Sequence, residues 1–222
     1  MNTYSLNETA TRARLAARGA GYEWGLADEV YRSVFWLVQR NLPAPLVLSR
    51  LLGLNSSTSD VELGMPNIYE RHFSARGTAL CPVLVGCAMT DRLQVADIDF
   101  EVTFDALHCP LLMLPFMAEL AIKFDRVVVI DLDTAEMVTD GNHVRFSSFD
   151  LQQLEYTKAG SMNFKPREAV VFDEGENLQL HARVSVDPVV WQALGAFAHN
   201  TYAPATEASR NSGAGAGVSD ND

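Results

Sequence analysis

The sequence predicts an α+β fold: a three-helix unit at the N-terminus, a mainly antiparallel sheet, a C-terminal helix and an extended tail. Three observations carry this reading. Apolar residues recur at three- and four-residue spacing through residues 1–54, the period of a helix face. Residues 55–200 instead hold short alternating or wholly apolar runs, paired across turn residues rather than separated by helices. Residues 201–222, TYAPATEASRNSGAGAGVSDND, turn to Pro, Ser, Gly and Ala.

In the helical unit, Ser5 and Glu8 have the spacing of a capping box, with Glu8 able to reach back to the Ser5 N–H. Leu6, Ala10, Ala13 and Ala17 follow on one stripe, and Gly19-Ala20-Gly21 supplies the left-handed stop. The second helix is expected over Glu23–Arg40. Leu26, Val30, Val34 and Leu37 form its buried face, and Trp24, Tyr31, Phe35 and Trp36 add bulk. Leu42-Pro43 ends it, and a third helix runs from Pro45 to Gly53.

In the body, Asp97–Asp105 alternates as a half-buried strand, and Leu111–Phe124 reads as a buried helix with Pro115 in its first turn or at a kink. Val127–Leu132 is an apolar strand, and Asp140-Gly141-Asn142 turns into a strand over His143–Phe146. Ala169–Phe172 and Leu178–Val186 read as a hairpin with an acidic tip. Asp187-Pro188 starts the last helix, Asp as cap and Pro at its first position, with Val190, Leu194, Phe197 and Ala198 inward.

Charge and composition exclude several function classes. The net charge is −11, so non-specific binding to nucleic acid or to an anionic membrane is not expected. Residues 1–50 nevertheless balance at +2, and 14 of the 17 basic residues are Arg, the side chain suited to forked carboxylate or phosphate recognition. Cys81, Cys87 and Cys109 form no CxxC pair and read as buried packing residues. The residues at Met1–Glu8 lack a leader's apolar segment, and no apolar run approaches 18 residues, so a cytoplasmic protein is expected.

Nucleotide-loop and nucleophile-elbow motifs are absent, and the five histidines lack metal-site spacing. Asp97, Asp99 and Glu101 share one strand face. That is a donor set for Mg2+ or Ca2+, and equally the solvent-facing strip that alternation produces. The bend Arg18-Gly19-Ala20-Gly21-Tyr22-Glu23-Trp24-Gly25 brings a guanidinium, two aromatic rings and bare backbone together. Its early acids, Glu23, Asp28 and Glu29, argue against a DNA-reading helix.

Three stretches resemble the uncharacterised bacterial family known as domain of unknown function 3726. They are Ser5-Leu-Asn-Glu through Ala17-Arg-Gly-Ala-Gly-Tyr-Glu-Trp-Gly-Leu-Ala27, then Leu80-Cys-Pro through Asp91-Arg92, and the strip from Thr201. This resemblance covers nearly the whole chain. It implies no activity, but it marks the two chain ends as the functional surfaces.

The sequence therefore points to a small-molecule-binding protein, an enzyme or enzyme accessory, with an anionic ligand held between the bend and the tail. Arg18 and Arg210 anchor the anion, Tyr22 and Trp24 wall it, and Asp91, Arg92 and Glu207 complete the site. One alternative is an oligomerisation or interaction module using the alanine face of the first helix and the tail. The other is a metal-dependent enzyme at Asp97, Asp99 and Glu101. Ligand, reaction and cofactor stay open at this stage.

Overall fold

Strand β1 (Asn2–Ser5) runs directly into helix α1 (Leu6–Gly19), because Ser5 is at once the strand's last residue and the helix cap. Its Oγ accepts the Glu8 N–H at 3.2 Å, half of the expected capping box. The reciprocal bond, from the Ser5 N–H to the Glu8 carboxylate, is not made among the described residues. The computed structural model describes residues 1–56, 72–74, 79–93, 101–132, 135–146, 158–172 and 179–201, with the backbone alone at 55, 56, 92 and 158.

Helix α1 buries Leu6, Ala10, Ala13 and Ala17, the predicted stripe, together with Thr9 and Ala16. Thr9 is tolerated there because its hydroxyl donates to the Ser5 carbonyl at 2.9 Å. Helices α2 (Trp24–Gln39) and α3 (Ala44–Ser56) follow as expected, and α6 (Pro188–His199) packs closely on α1. Asp187 caps α6, its carboxylate accepting the Val189 N–H at 2.7 Å. The alanine face is thus consumed within the chain: Ala10 and Ala13 are 0% exposed. It offers no surface to a second subunit, which corrects that part of the interaction-module reading.

Two further expectations are corrected. Trp24 does not add bulk to the buried face of α2. It is 51% exposed, because it is the first residue of α2 and precedes the buried stripe of Val30, Val34 and Leu37. The acidic-tipped hairpin does not form as a pair either. Strand β8 (Arg183–Val186) pairs antiparallel with β1, in register from Asn2↔Val186 to Ser5↔Arg183. Ala169 instead closes a 3₁₀ turn (Arg167–Ala169). The two segments serve different cores: Val184 and Val186 join the main one, while Val170 and Phe172 cover the far face of the sheet. The tip, 173–178, lies outside the described residues.

The sheet contains β2 (His72–Phe73), β3 (Val102–Leu107), β4 (Val127–Leu132), β5 (Ala135–Thr139), β6 (Val144–Phe146) and β7 (Lys158–Lys165), in the order β2-β3-β7-β4-β5-β6. Among the described strand pairs only β2–β3 is parallel. Phe73, Val102, Phe104, Val128, Ile130, Met137 and Met162 face inward, as period-2 geometry requires. Helix α5 (Leu114–Phe124) lies on β4 and β5, with Pro115 in its first turn, and α4 (Pro82–Arg92) packs on α5 and α2. One continuous core joins the helices to this inner face, so the chain is α+β.

The predicted turn at Asp140-Gly141-Asn142 joins β5 to β6. Gly141 has φ +99°, and the Asp140 carboxylate accepts the N–H of Asn142 at 2.9 Å and of His143 at 2.7 Å. The His143 imidazole also meets it, Nδ1 to Oδ2 at 2.9 Å, so His143 belongs to the turn rather than to the strand. Burial pushes the Asp140 carboxyl up. The bonds from His143 and Asn142 and the His143 charge outweigh it, so the carboxyl ends below its ordinary value.

Candidate functional site

At the bend between α1 and α2, Arg18 lies over the Trp24 indole, 5.3 Å from its centroid, and Arg14 lies 5.9 Å from the same ring. Both cations are engaged locally. Arg18 donates from Nη1 to the Tyr22 carbonyl at 2.9 Å, and Arg14 meets Asp28 at 3.2 Å. Tyr22 turns the other way. It is 1% exposed, and its hydroxyl lies 3.2 Å from Cys81 Sγ in the core, so it walls no surface pocket at the bend. Asp91 is exposed on the last turn of α4. The Arg92 side chain, Glu207, Arg210 and the whole expected tail site lie outside the described residues.

The last described residues do reach the bend. Asn200 Nδ2 donates to the Gly19 carbonyl at 3.2 Å. Gly19 is required there, since a Cβ would stand 1.8 Å from the Phe197 carbonyl oxygen. Helix α6 therefore docks end-on to the bend that closes α1.

Along the same seam, a cleft of about 430 Å³ opens between α1 and α6. Its lining includes Asn7, Glu8, Thr11, Arg12 and Leu15 from α1, and Trp191, Gly195 and His199 from α6. Arg12 is the central group. Its guanidinium carbon lies 4.1 Å from the Trp191 ring centroid, and Nη1 donates to the Trp191 carbonyl at 2.9 Å. Tyr4, from β1, stacks on the same indole at 3.7 Å and 13°. Two groups that close need opposite faces, so Trp191 is held between a phenol ring and a guanidinium. Arg12 makes no ion pair with a carboxylate among the described residues. Gly195 leaves the space this arrangement needs, because a Cβ there would meet Arg12 Nη1 at 2.5 Å.

Sequence reasoning missed this cleft because its halves are 179 residues apart in the chain. The available signal was Arg12 on the polar side of an alanine-rich helix, with Trp191 and Gly195 one turn apart on α6.

Of the other chemical candidates, those among the described residues read as structural. Asp97 and Asp99 lie outside the described residues. Glu101 is exposed, and hydrogen bonds from Ser161 and Asn163 hold its carboxyl below its usual range, as in a polar strip on an open sheet face. On that face His72 bridges Thr103 Oγ1 at 2.8 Å and Asp105 Oδ1 at 2.8 Å, stapling the two-residue β2 to β3. Among the described residues, no group of three or more His, Cys, Asp and Glu side chains is placed to hold a metal ion. Burial, with the Glu29 and Asp91 charges adding to it, pushes the Cys87 thiol up to about 12. Burial likewise pushes Cys81 up. Such thiols are protonated at neutral pH and make poor nucleophiles. Cys109 is fully buried, at a left-handed φ of +47°. Among the described residues no helix is long and apolar enough to cross a membrane.

A comparison with known families bears on the α1 side of the seam. The chain resembles the family described as Protein of unknown function (DUF3726). The match covers residues 4–106, less than half of the 222. It takes in Ser5–Ala27 and Leu80–Arg92 but not the strip from Thr201, so it is shorter than the nearly complete coverage expected. Glu8 and Arg12 fall inside it; Trp191, Gly195 and His199 fall outside. No curated protein and no solved structure matches the chain.

Proposed function

We propose that the protein binds a small anionic molecule in the cleft between α1 and α6, with Arg12 as the anion's partner. One observation carries this: a guanidinium laid flat on Trp191, with one N–H tied to a carbonyl and no carboxylate paired to it among the described residues. Arginine has five N–H donors in a planar fork, so most of its edge remains for a carboxylate or phosphate. Stacking on the indole fixes the plane of that fork, which lowers the entropy lost when a ligand binds. The cleft volume, about 430 Å³, falls within the roughly 300–1,000 Å³ of small-molecule sites. The acidic surface, at net −11, favours a compact ligand over nucleic acid or an anionic bilayer.

A calorimetric and thermal-shift screen of small carboxylates and phosphates at low salt tests the reading. Wild-type protein should respond to members of the panel, and Arg12→Ala should lose the response. Equal behaviour of the two proteins removes the cleft from consideration.

A second reading keeps the bend as the site, supported by the contact of Asn200 with Gly19 at the root of the tail. There Arg18 and Trp24 would share the ligand with Asp91, Arg92, Glu207 and Arg210. Loss of the response on deleting residues 203–222, with the response kept in Arg12→Ala, would assign the ligand to the bend.

A further inference from the structure

The cleft holds a second charge that an anion alone leaves unused. Glu8 lies one helical turn before Arg12, and both line the cleft. A glutamate four residues ahead of a basic residue is the favoured spacing for a helix ion pair. Glu8 and Arg12 form none. Arg12 is drawn instead to the Trp191 carbonyl, 2.9 Å away, and to the indole face.

The other role open to Glu8, closing the capping box on the Ser5 N–H, is also not taken up. The cap is made by the Ser5 hydroxyl alone. Glu8 and Arg12 thus lie about one 5.4 Å turn apart along α1, each without an ionic partner among the described residues. Two separated opposite charges in one cleft match a ligand that carries both.

Resting on the proposed function, we infer that the ligand is a zwitterion: a small amino acid whose carboxylate meets Arg12 and whose ammonium group meets Glu8. Asn7, whose amide oxygen already accepts the Tyr31 hydroxyl, offers its amide N–H groups and Thr11 a hydroxyl, and Leu15 and Trp191 give an apolar wall for the ligand's side chain. A purely anionic ligand would feel the Glu8 charge as repulsion, and a purely cationic one would feel Arg12. Only the double-ended molecule turns both into attraction.

Titration calorimetry on the full chain at neutral pH and low salt, with free amino acids, their N-acetyl forms and their carboxamide forms, tests this. Free amino acids should bind, and each blocked form should bind roughly tenfold or more weakly, about 1.4 kcal/mol. Glu8→Gln preserves the helix end. It should weaken the free amino acid by a similar factor and leave or improve binding of the N-acetyl form. N-acetyl forms that bind wild type as well as free ones, with Glu8→Gln indifferent, overturn the zwitterion and leave the anion site standing. No binding of any carboxylate overturns both.

Discussion

Arg12 and Arg18 sit six residues apart on one helix, each bonded to a carbonyl beside a tryptophan, and they differ in where those partners come from. At the bend, Arg18 bonds a carbonyl four residues away, its neighbour Arg14 pairs with Asp28, and the Trp24 ring is half in solvent. At the seam, Arg12 bonds a carbonyl 179 residues away, and its indole is stacked on the other face by Tyr4. Neither arginine has a carboxylate partner among the described residues; Arg18 is held by its own bend, whereas long-range packing orients Arg12. The difference separates a cation held by its own loop from one held by the far end of the chain, and residue types alone do not reveal it.

Gly19→Ala attacks the seam most directly, because the new Cβ would collide with the backbone of α6. It should cost about 3 kcal/mol or more in urea unfolding, at the upper end for overpacked contacts. A cost under about 1 kcal/mol would show that α6 does not dock as described. Asp140→Ala, outside both regions, calibrates the scale at about 2 kcal/mol for lost charged hydrogen bonds. Its pH dependence has a definite sign. The folded carboxyl sits below its ordinary 3.8, so its contribution is present above that value and fades as pH falls through the folded one. Acid unfolding of the variant should lack that component.

Arg18→Ala and Trp24→Ala should each cost only about 0.5–1 kcal/mol, as for an exposed cation–π contact. A cost above about 2 kcal/mol would mean the bend is built as firmly as the seam. Gly195→Ala sharpens the contrast, with the smallest effect on stability. Alanine favours the helix by about 1 kcal/mol, and the Cβ meets only the end of the flexible Arg12 side chain. Unfolding should therefore change by less than about 1 kcal/mol in either direction, while ligand response falls as in Arg12→Ala. Retained binding would show that the stacked pose of Arg12 is not the competent one.

Helices α1, α2, α5 and α6 and strand β4 were legible because each is a clear apolar stripe or run bounded by turn or stop residues, with Ser5 and Asp187 also capping α1 and α6. Helix α4 was not: Cys81 provides no side-chain cap, and its sequence shows no polar face to set a period. The central strand β7, KAGSMNFK, has weak strand propensity and contains Gly160, where a Cβ would meet the Asp131 carbonyl at 2.3 Å. Close backbone packing from β4 selects that residue, and a single sequence does not display it. The β1–β8 pair was misassigned because Asn2–Ser5 is polar and its partner is at the opposite end of the chain. Of the proposed site, the sequence shows an arginine-rich N-terminal segment and no more. Which arginine matters depended on α6, and on Tyr22 turning inward to Cys81.

The pairing of residue 2 with residue 186 sets a schedule for synthesis. While a ribosome is still adding the sheet, the oily alanine row of α1 lacks the α6 half of its cover, so the nascent N-terminal helices wait as a sticky, half-built layer. Closing so long a loop adds only a logarithmic entropy penalty, so what holds the layer back is the late arrival of its last helix. Termination shortly before residue 188 would leave a natural client for chaperones and proteases, with neither a finished helical layer nor the cleft between α1 and α6.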